Sequence, residues 1–409
     1  MSESVSRWLG SLLLRRIGVG SLVVVEGERR RSYGSGAPSA TFHIRSPQTW
    51  QMALRGSRGL AEAYAQGLWD SPDLVAVIRL AARNASGLDR LRGLLSPLRI
   101  PAQQARALLR RSTRRRRRRD IAAHYDLGND LFRRMLDPTM SYSCAIFERD
   151  GLTLQEASIA KLERVCEQLD LGPDEHLLEI GSGWGSLAIH AAATRGCHVT
   201  TTTISREQHD YATQQVARAG LEHRVTVLME DYRDLHGTYD KLVSIEMIEA
   251  VGWQHIGRFF AKCSELLAAN GAMLLQAITI DDRAYEVEKA SNSFANTYIF
   301  PGGCLPSLEV IARNVARRTD MQAVHLEDLT PHYAETLRRW QQNFAAHADS
   351  LGELGYDERF RRLWTFYLCW CEAGFAERRI CDIQLLLAKP QWAIAARSDV
   401  RSAAIAAAG

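Results

Sequence analysis

Residues 176–185 read His176-Leu-Leu-Glu-Ile-Gly-Ser-Gly-Trp-Gly185. An apolar strand, His176–Ile180, carries a carboxylate near its end and runs into three glycines in five positions. The stretch Ser186–Thr194 then reads as a helix. Glycines in such a turn let the backbone approach a ligand closely, and the first turn of the helix favours partial negative charge. A tight strand-to-helix turn with no ligand is the plain alternative. Three glycines in this context weigh against it.

Working outward, strands are expected at His198–Ile204, Arg224–Met229, Lys241–Met247 and Ala272–Ile280. Helices are expected at Glu207–Arg218 and His255–Leu267. This alternation predicts an α/β fold, a parallel sheet covered by helices on both faces. From Asp281 to Thr319 the pattern lapses into an insertion with several aromatics and a Gly-Gly pair. Two long amphipathic helices, about 331–353 and 357–378, and a last strand near 380–388 follow. Upstream, residues 4–17 read as an amphipathic helix, and Ser21–Glu26, Arg30–Tyr33 and Thr41–Arg45 as short strands. Trp50 to Arg83 reads as helices around a Gly-rich turn. The expected division is a small N-terminal α+β domain with an arginine-rich linker over 1–119 and a catalytic domain over 120–409.

Composition narrows the function classes. The chain has 409 residues, 46% apolar and 24% charged, and a net charge of +4. That total hides an asymmetry. Residues 1–120 hold 23 Arg, no Lys and 8 acids, whereas 121–409 hold 28 bases and 39 acids. A basic N-terminal part suits an anionic membrane surface or nucleic acid; an acidic remainder argues against a wholly nucleic-acid-binding chain. Arg110–Arg119 contains eight arginines in ten positions. It reads structurally as a linker, and at roughly 1 kcal/mol per basic residue near an anionic leaflet it could hold a protein on a membrane. Nuclear targeting or RNA binding is the competing reading. The eight cysteines are scattered, with no CxxC pair and no zinc spacing, as in a reducing cytosol, so no metal site is expected. No apolar run approaches the roughly 20 residues of a spanning helix. Arg15 and Arg16 interrupt the apolar N-terminal stretch, which is not expected to be a signal peptide.

The loop pattern is GxGxG, not GxGxxG, and resembles the S-adenosylmethionine loop of class I methyltransferases. Five further segments occur in order: His124-Tyr-Asp-Leu-Gly-Asn-Asp130, Met140-Ser-Tyr-Ser-Cys144, Thr203-Ile-Ser-Arg-Glu-Gln208, Ile248-Glu-Ala-Val-Gly252 and Ile299-Phe-Pro-Gly-Gly-Cys-Leu-Pro306. Gly59–Tyr64, Trp69–Leu74 and Tyr333–Trp340 extend the set over nearly the whole chain. Each piece is weak alone. The ordered set resembles the cyclopropane-fatty-acyl-phospholipid synthase family.

The resemblance implies a class I methyltransferase Rossmann-like sheet and transfer of a methylene group from S-adenosylmethionine to the double bond of an unsaturated acyl chain in a phospholipid. Methyl transfer leaves a carbocation, and loss of a proton from the new methyl closes the ring. Such a site needs a dry pocket, aromatic faces for cations and a placed base, for which the family is understood to use bicarbonate. Carried over by position, Tyr142, Ser143, Glu179, Gly181, Gly183, Gly185, Thr203, Gln208, Asp231 and Tyr232 would hold the cofactor. Cys144, Glu249, Ile278 and Tyr333 match bicarbonate-site positions. Two positions depart from the pattern: Ala250 stands where His is frequent, and Gln276 replaces a His beside the bicarbonate site. Glutamine can donate a hydrogen bond there but cannot change charge near neutral pH. A related branch of the family makes methylene- or methyl-branched chains, and a catalytically silent lipid-binding protein is the rival from another class. The resemblance further implies a cytoplasmic, membrane-peripheral homodimer with no nucleic-acid partner.

Overall fold

The computed structural model describes residues 2–94, 128–289 and 293–392. The run Arg110–Arg119, the expected boundary at 119/120 and His124 lie outside the described residues.

The N-terminal unit consists of α1 (Glu3–Leu14), β1 (Gly20–Glu26), β2 (Arg29–Ser35), β3 (Ser39–Ile44), α2 (Gln48–Ala53), α3 (Ser57–Ala65), β4 (Trp69–Asp70) and α4 (Leu74–Leu94). Its sheet has the order β2-β1-β3-β4, with β1 antiparallel to β2 and parallel to β3. Period-two alternation along β1 buries Leu22 and Val24 on one face, and α4 packs against β1 and β3.

The remainder is built from α5 (Asn129–Met135), α6 (Leu154–Gln168), β5 (His176–Ile180), α7 (Ser186–Arg195), β6 (His198–Thr202), α8 (Arg206–Arg218), β7 (Val225–Leu228) and β8 (Tyr239–Ile245). It continues through α9 (Ile256–Leu266), β9 (Leu267–Ile280), α10 (Asp282–Glu288), α11 (Leu308–Arg318), β10 (Gln322–Asp328), α12 (Thr330–Ala346), α13 (Ala348–Glu353), α14 (Glu358–Ala376) and β11 (Ile380–Ala388). Seven strands form one sheet in the order β10-β11-β9-β8-β5-β6-β7. Neighbours from β9 to β7 run parallel, whereas β11 runs antiparallel to both β9 and β10. Successive β5 side chains serve opposite cores: Leu178 and Ile180 join one apolar cluster and Leu177 the other.

The expected α/β layering is therefore present, with one strand reversed. β10 was not expected from the sequence because its side chains are almost all exposed, so it shows no apolar alternation. The long helix expected over 331–353 breaks at His347 into α12 and α13.

A third apolar cluster joins the N-terminal unit to α14. Trp69 meets Phe366 edge-on at 6.3 Å between ring centres, and Tyr64 lies 5.8 Å from the same ring. The Arg362 guanidinium lies 4.0 Å from the centre of the Tyr64 ring and donates to the carbonyls of Tyr64 (2.7 Å) and Trp69 (3.1 Å). Arg79 and Arg83 of α4 both pair with Glu377. One core thus spans both parts of the chain.

Candidate active site

The strand order reverses at β5, which has β8 on one side and β6 on the other. In an open parallel sheet the crevice outside the carboxyl ends of such strands is where ligands bind. A cleft with a cavity volume of about 180 Å³ lies there. Its walls come from the segments that follow each strand: Gly181–Trp184 after β5, Thr203 and Ile204 after β6, Glu230–Arg233 after β7, and Glu246 and Met247 after β8. Met140–Ser143 and Lys161 close it from the side.

The glycines have separate duties. Gly181 and Gly183 line the cleft with φ of 103° and 50°, and a Cβ built on Gly183 would meet nothing within 4 Å. That open space is the cradle a nucleoside cofactor needs. Gly185, by contrast, does not line the cleft. Its φ is 92°, and a Cβ there would stand 3.0 Å from the Cβ of Ala212, so it permits α7 to pack on α8. Of the other expected cofactor residues, Glu179 accepts from Thr201 Oγ1 at 2.6 Å, and burial pushes its carboxyl up to about 8. The Thr203 hydroxyl donates to Gln208 Oε1 at 2.8 Å, fixing that amide. Asp231 is buried and engages the backbone and guanidinium of Arg233, while Tyr232 packs edge-on against Phe259 at 5.5 Å. Ser143 accepts from Lys161 Nζ at 3.0 Å, and the Tyr142 hydroxyl lies 2.8 Å from that of Tyr367. These residues fit S-adenosylmethionine: a glycine cradle, acids at the strand ends and an aromatic wall.

A second, larger cavity of about 700 Å³ lies between the N-terminal unit and the part of the chain that carries the seven-stranded sheet. Its walls are largely apolar, including Leu13, Leu14 and Ile17 from the first helix and its following turn, Val77 and Ile78 of α4, and Trp370 and Phe375 of α14. Tyr142, Glu246 and Ala250 line both this cavity and the cofactor cleft. The two spaces therefore meet at these residues.

Glu246 was missed in the sequence and stands at the centre of the polar cluster. Its Oε1 accepts from the Cys144 backbone N–H and from Gln276 Nε2, both at 2.9 Å. Its Oε2 accepts from the Tyr333 hydroxyl at 2.5 Å. Its backbone is held in the left-handed region at φ 48°, which costs a non-glycine residue on the order of 1–3 kcal/mol. Glu249 Oε1 accepts from the Ile278 N–H at 2.6 Å, while its buried Oε2 has no hydrogen-bond partner among the described residues. Burial, reinforced by the Glu246 charge, pushes the Glu249 carboxyl up to about 8. Gln276 also donates to Asp382 Oδ2 at 2.9 Å, and its own carbonyl accepts from Gln384 at 3.0 Å. Asp382 is held well above the usual carboxylate range by burial and then by the charges of Glu246 and Glu249. The Cys144 thiol is buried and pushed well upward by that burial, so it is no thiolate; what Cys144 gives the cluster is its N–H.

The residues expected to hold bicarbonate are thus brought together, with Glu249, Ile278 and Tyr333 on the wall of the larger cavity, but their donors are already engaged. The N–H groups of Cys144 and Ile278, the Gln276 amide and the Tyr333 hydroxyl all donate to Glu246 or Glu249. A further anion would find those donors engaged and the Glu246 carboxyl already seated among them. As folded, the cluster does not fit bicarbonate.

Lys161 was also missed. It is fully buried in α6, and burial lowers the pKa of its ammonium against the pull of Glu246 and Glu179. No group of three or more metal-ligating side chains occurs among the described residues.

Residues 112–385 match the family described as mycolic acid cyclopropane synthetase. The chain is 39% identical to the tuberculostearic acid methyltransferase UfaA1 of Mycobacterium tuberculosis, over 87% of this chain and 84% of that protein. It is 36% identical to the cyclopropane-fatty-acyl-phospholipid synthase of Escherichia coli K12, over 86% of this chain and 87% of that protein. Among solved structures, mycolic acid cyclopropane synthase CmaA1 in complex with SAH and CTAB superposes with a TM-score of 0.62 at 33% identity, covering 66% of this chain and 98% of the other.

Proposed function

The chain belongs to the mycolic acid cyclopropane synthetase family and is an S-adenosylmethionine-dependent C-methyltransferase, and we propose that its acceptor is the double bond of an unsaturated acyl chain in a membrane phospholipid, converted to a cyclopropane ring. The observation that carries this reading is the junction of a nucleoside-sized cleft with a largely apolar cavity of about 700 Å³ at Tyr142, Glu246 and Ala250. Ligand cavities of roughly 300–1,000 Å³ take molecules on the scale of a long acyl chain. A small polar acceptor would gain nothing from such walls.

The chain's own residues divide the work. S-adenosylmethionine supplies an electrophilic methyl on a sulfonium. The glycine cradle and Glu179, Thr203, Gln208 and Asp231 would hold the nucleoside. Aromatic faces at the junction favour cations: Tyr142 lies against Phe132 and Trp340 at 5.2 Å each, and Tyr333 stacks on Phe375 at 4.3 Å. The apolar walls exclude water that would otherwise trap a carbocation.

Two features support access from a lipid surface. Val5, Trp8, Leu12 and Leu13 of α1 are exposed, and Leu13 also lines the apolar cavity. The arginine run at 110–119 adds charge for an anionic leaflet. No helix among the described residues is long and apolar enough to cross a membrane.

A second reading, a methylene- or methyl-branched product, is favoured by the 39% identity to a protein named as a methyltransferase and not as a ring synthase. Vesicles of monounsaturated or fully saturated phospholipid, incubated with methyl-labelled S-adenosylmethionine, test the proposal. Label is expected only in the unsaturated chains, and proton NMR of the released acids separates ring from branch. Vesicle binding without label transfer would leave a silent lipid-binding protein.

A further inference from the structure

We propose that Glu246 is the catalytic base: its carboxylate, not a bound anion, removes the proton that the new methyl group must lose. The inference rests on the methyl-transfer reading and identifies the group that completes it. Three independent observations lead to it. Glu246 is the carboxylate shared by the linings of the cofactor cleft and the apolar cavity; Glu249 lines only the latter. A methyl crossing from one space to the other arrives beside it. Next, the donors around it are arranged for a carboxylate. Two reach Oε1 and one reaches Oε2, so Oε2 keeps a lone pair for a proton. Finally, the backbone stores strain here, φ 48° at a residue with a Cβ, directly after β8. Left-handed backbone is easiest for glycine, so a glutamate held there by three hydrogen bonds points to a use for the side chain.

Gln276 belongs to the same arrangement. As a neutral donor it orients Glu246 without offering a proton of its own, whereas a histidine beside a carboxylate would share one. Burial raises the basicity of the Glu246 carboxylate, and Lys161 opposes that shift. Burial pushes the Asp382 carboxyl well upward, toward its neutral form.

The step balances. The alkene π pair forms the bond to the methyl carbon, and the sulfur keeps the pair of the broken S–CH3 bond and becomes neutral. The resulting carbocation is quenched when the C–H pair of the methyl forms the new C–C bond of the ring. The proton moves to Glu246 Oε2 and passes to water between turnovers. For a methylene branch, a hydride shift along the chain precedes the same proton removal.

The experiment compares wild type, Glu246→Gly and Glu246→Gln, in buffer stripped of carbon dioxide and in buffer with added bicarbonate or formate. Glycine suits the left-handed backbone, so that variant is expected to fold; calorimetry with S-adenosylhomocysteine confirms that each protein is intact. Wild-type label transfer is expected to be the same with and without bicarbonate. Glu246→Gly is expected to lose at least about 100-fold in stripped buffer and to recover on addition of either anion, which enters the space the side chain left. Glu246→Gln, with that space filled, is expected to lose as much and not to recover. Transfer by wild type only when bicarbonate is present overturns the base assignment alone. So does a Glu246→Gly rate within threefold of wild type in stripped buffer. No transfer by wild type under any condition overturns the methyl-transfer reading and the base assignment with it.

Discussion

Replacing Glu249 by glutamine is expected to stabilise the protein. The carboxyl titrates at about 8 in the fold against 4.5 in an exposed chain, first because it is buried and then because Glu246 is close. Between those values the native state holds a proton that the unfolded state has released. Stability therefore falls as pH rises from about 4.5 to about 8, and is flat above. At pH 7 the gap is some 2.5 units, or roughly 3 kcal/mol at about 1.4 kcal/mol per unit. Glutamine keeps an oxygen for the Ile278 N–H and places an amide where Oε2 lacks a partner, so most of that cost disappears. With roughly 2–4 °C per kcal/mol for domains of 150–250 residues, a rise in Tm of roughly 5–10 °C is expected at pH 7. The margin over wild type should widen from pH 5.5 to pH 8. Other groups bring their own pH dependence, including His176 and His332, whose burial lowers their pKa; comparing variant with wild type at each pH cancels them. Scanning calorimetry of variant and wild type at four pH values is the assay. A variant less stable than wild type across that range would refute the burial cost assigned to Glu249.

Three further outcomes are expected. Gly183→Val should abolish cofactor binding in a calorimetric titration while the variant stays folded, because its side chain enters the cradle; Gly185→Val should instead lower Tm, because it meets Ala212 at φ 92°. Arg362→Met removes two charge-assisted hydrogen bonds and the contact with Tyr64, and should cost roughly 2–4 kcal/mol in denaturant unfolding, with the N-terminal unit the first part to lose protection in hydrogen exchange. Replacing Arg114–Arg119 with serine should weaken sedimentation with anionic vesicles, more so at low salt, and leave activity on detergent-dispersed lipid unchanged; binding equal for both proteins and independent of salt would leave the run as a linker.

What the sequence disclosed follows from how locally each feature is encoded. The glycine turn after β5 is written in consecutive residues, and so are the strand ends that carry Thr203 and Asp231. The three-dimensional company of Cys144, Glu249, Gln276, Ile278 and Tyr333 came only through resemblance, because those residues are spread over 190 positions. Glu246 escaped because Ser244-Ile-Glu-Met continues the look of a strand, and the strand was read through to Met247. In the fold it ends at Ile245, and the next residue turns left-handed. A signal was available: a carboxylate at the carboxyl end of a parallel strand stands where such sheets place ligands. Lys161 offered no such signal. A lone lysine in Leu154–Gln168 reads as a solvated face, and only the packing of α6 against the cleft buries it. The apolar cavity was equally out of sight, since its walls come from segments more than 300 residues apart.

The most direct test of the account uses S-adenosylmethionine with a fully deuterated methyl group and monounsaturated phospholipid vesicles, with the acyl products read by mass spectrometry. Methyl transfer followed by proton removal delivers the new carbon with three deuterons and surrenders one to a base, in the ring and branched products alike. Each modified chain should therefore carry two deuterons. Chains that retain all three would mean that no proton leaves the new methyl, and chains without deuterium would mean that this carbon never came from the cofactor; either result would contradict the account.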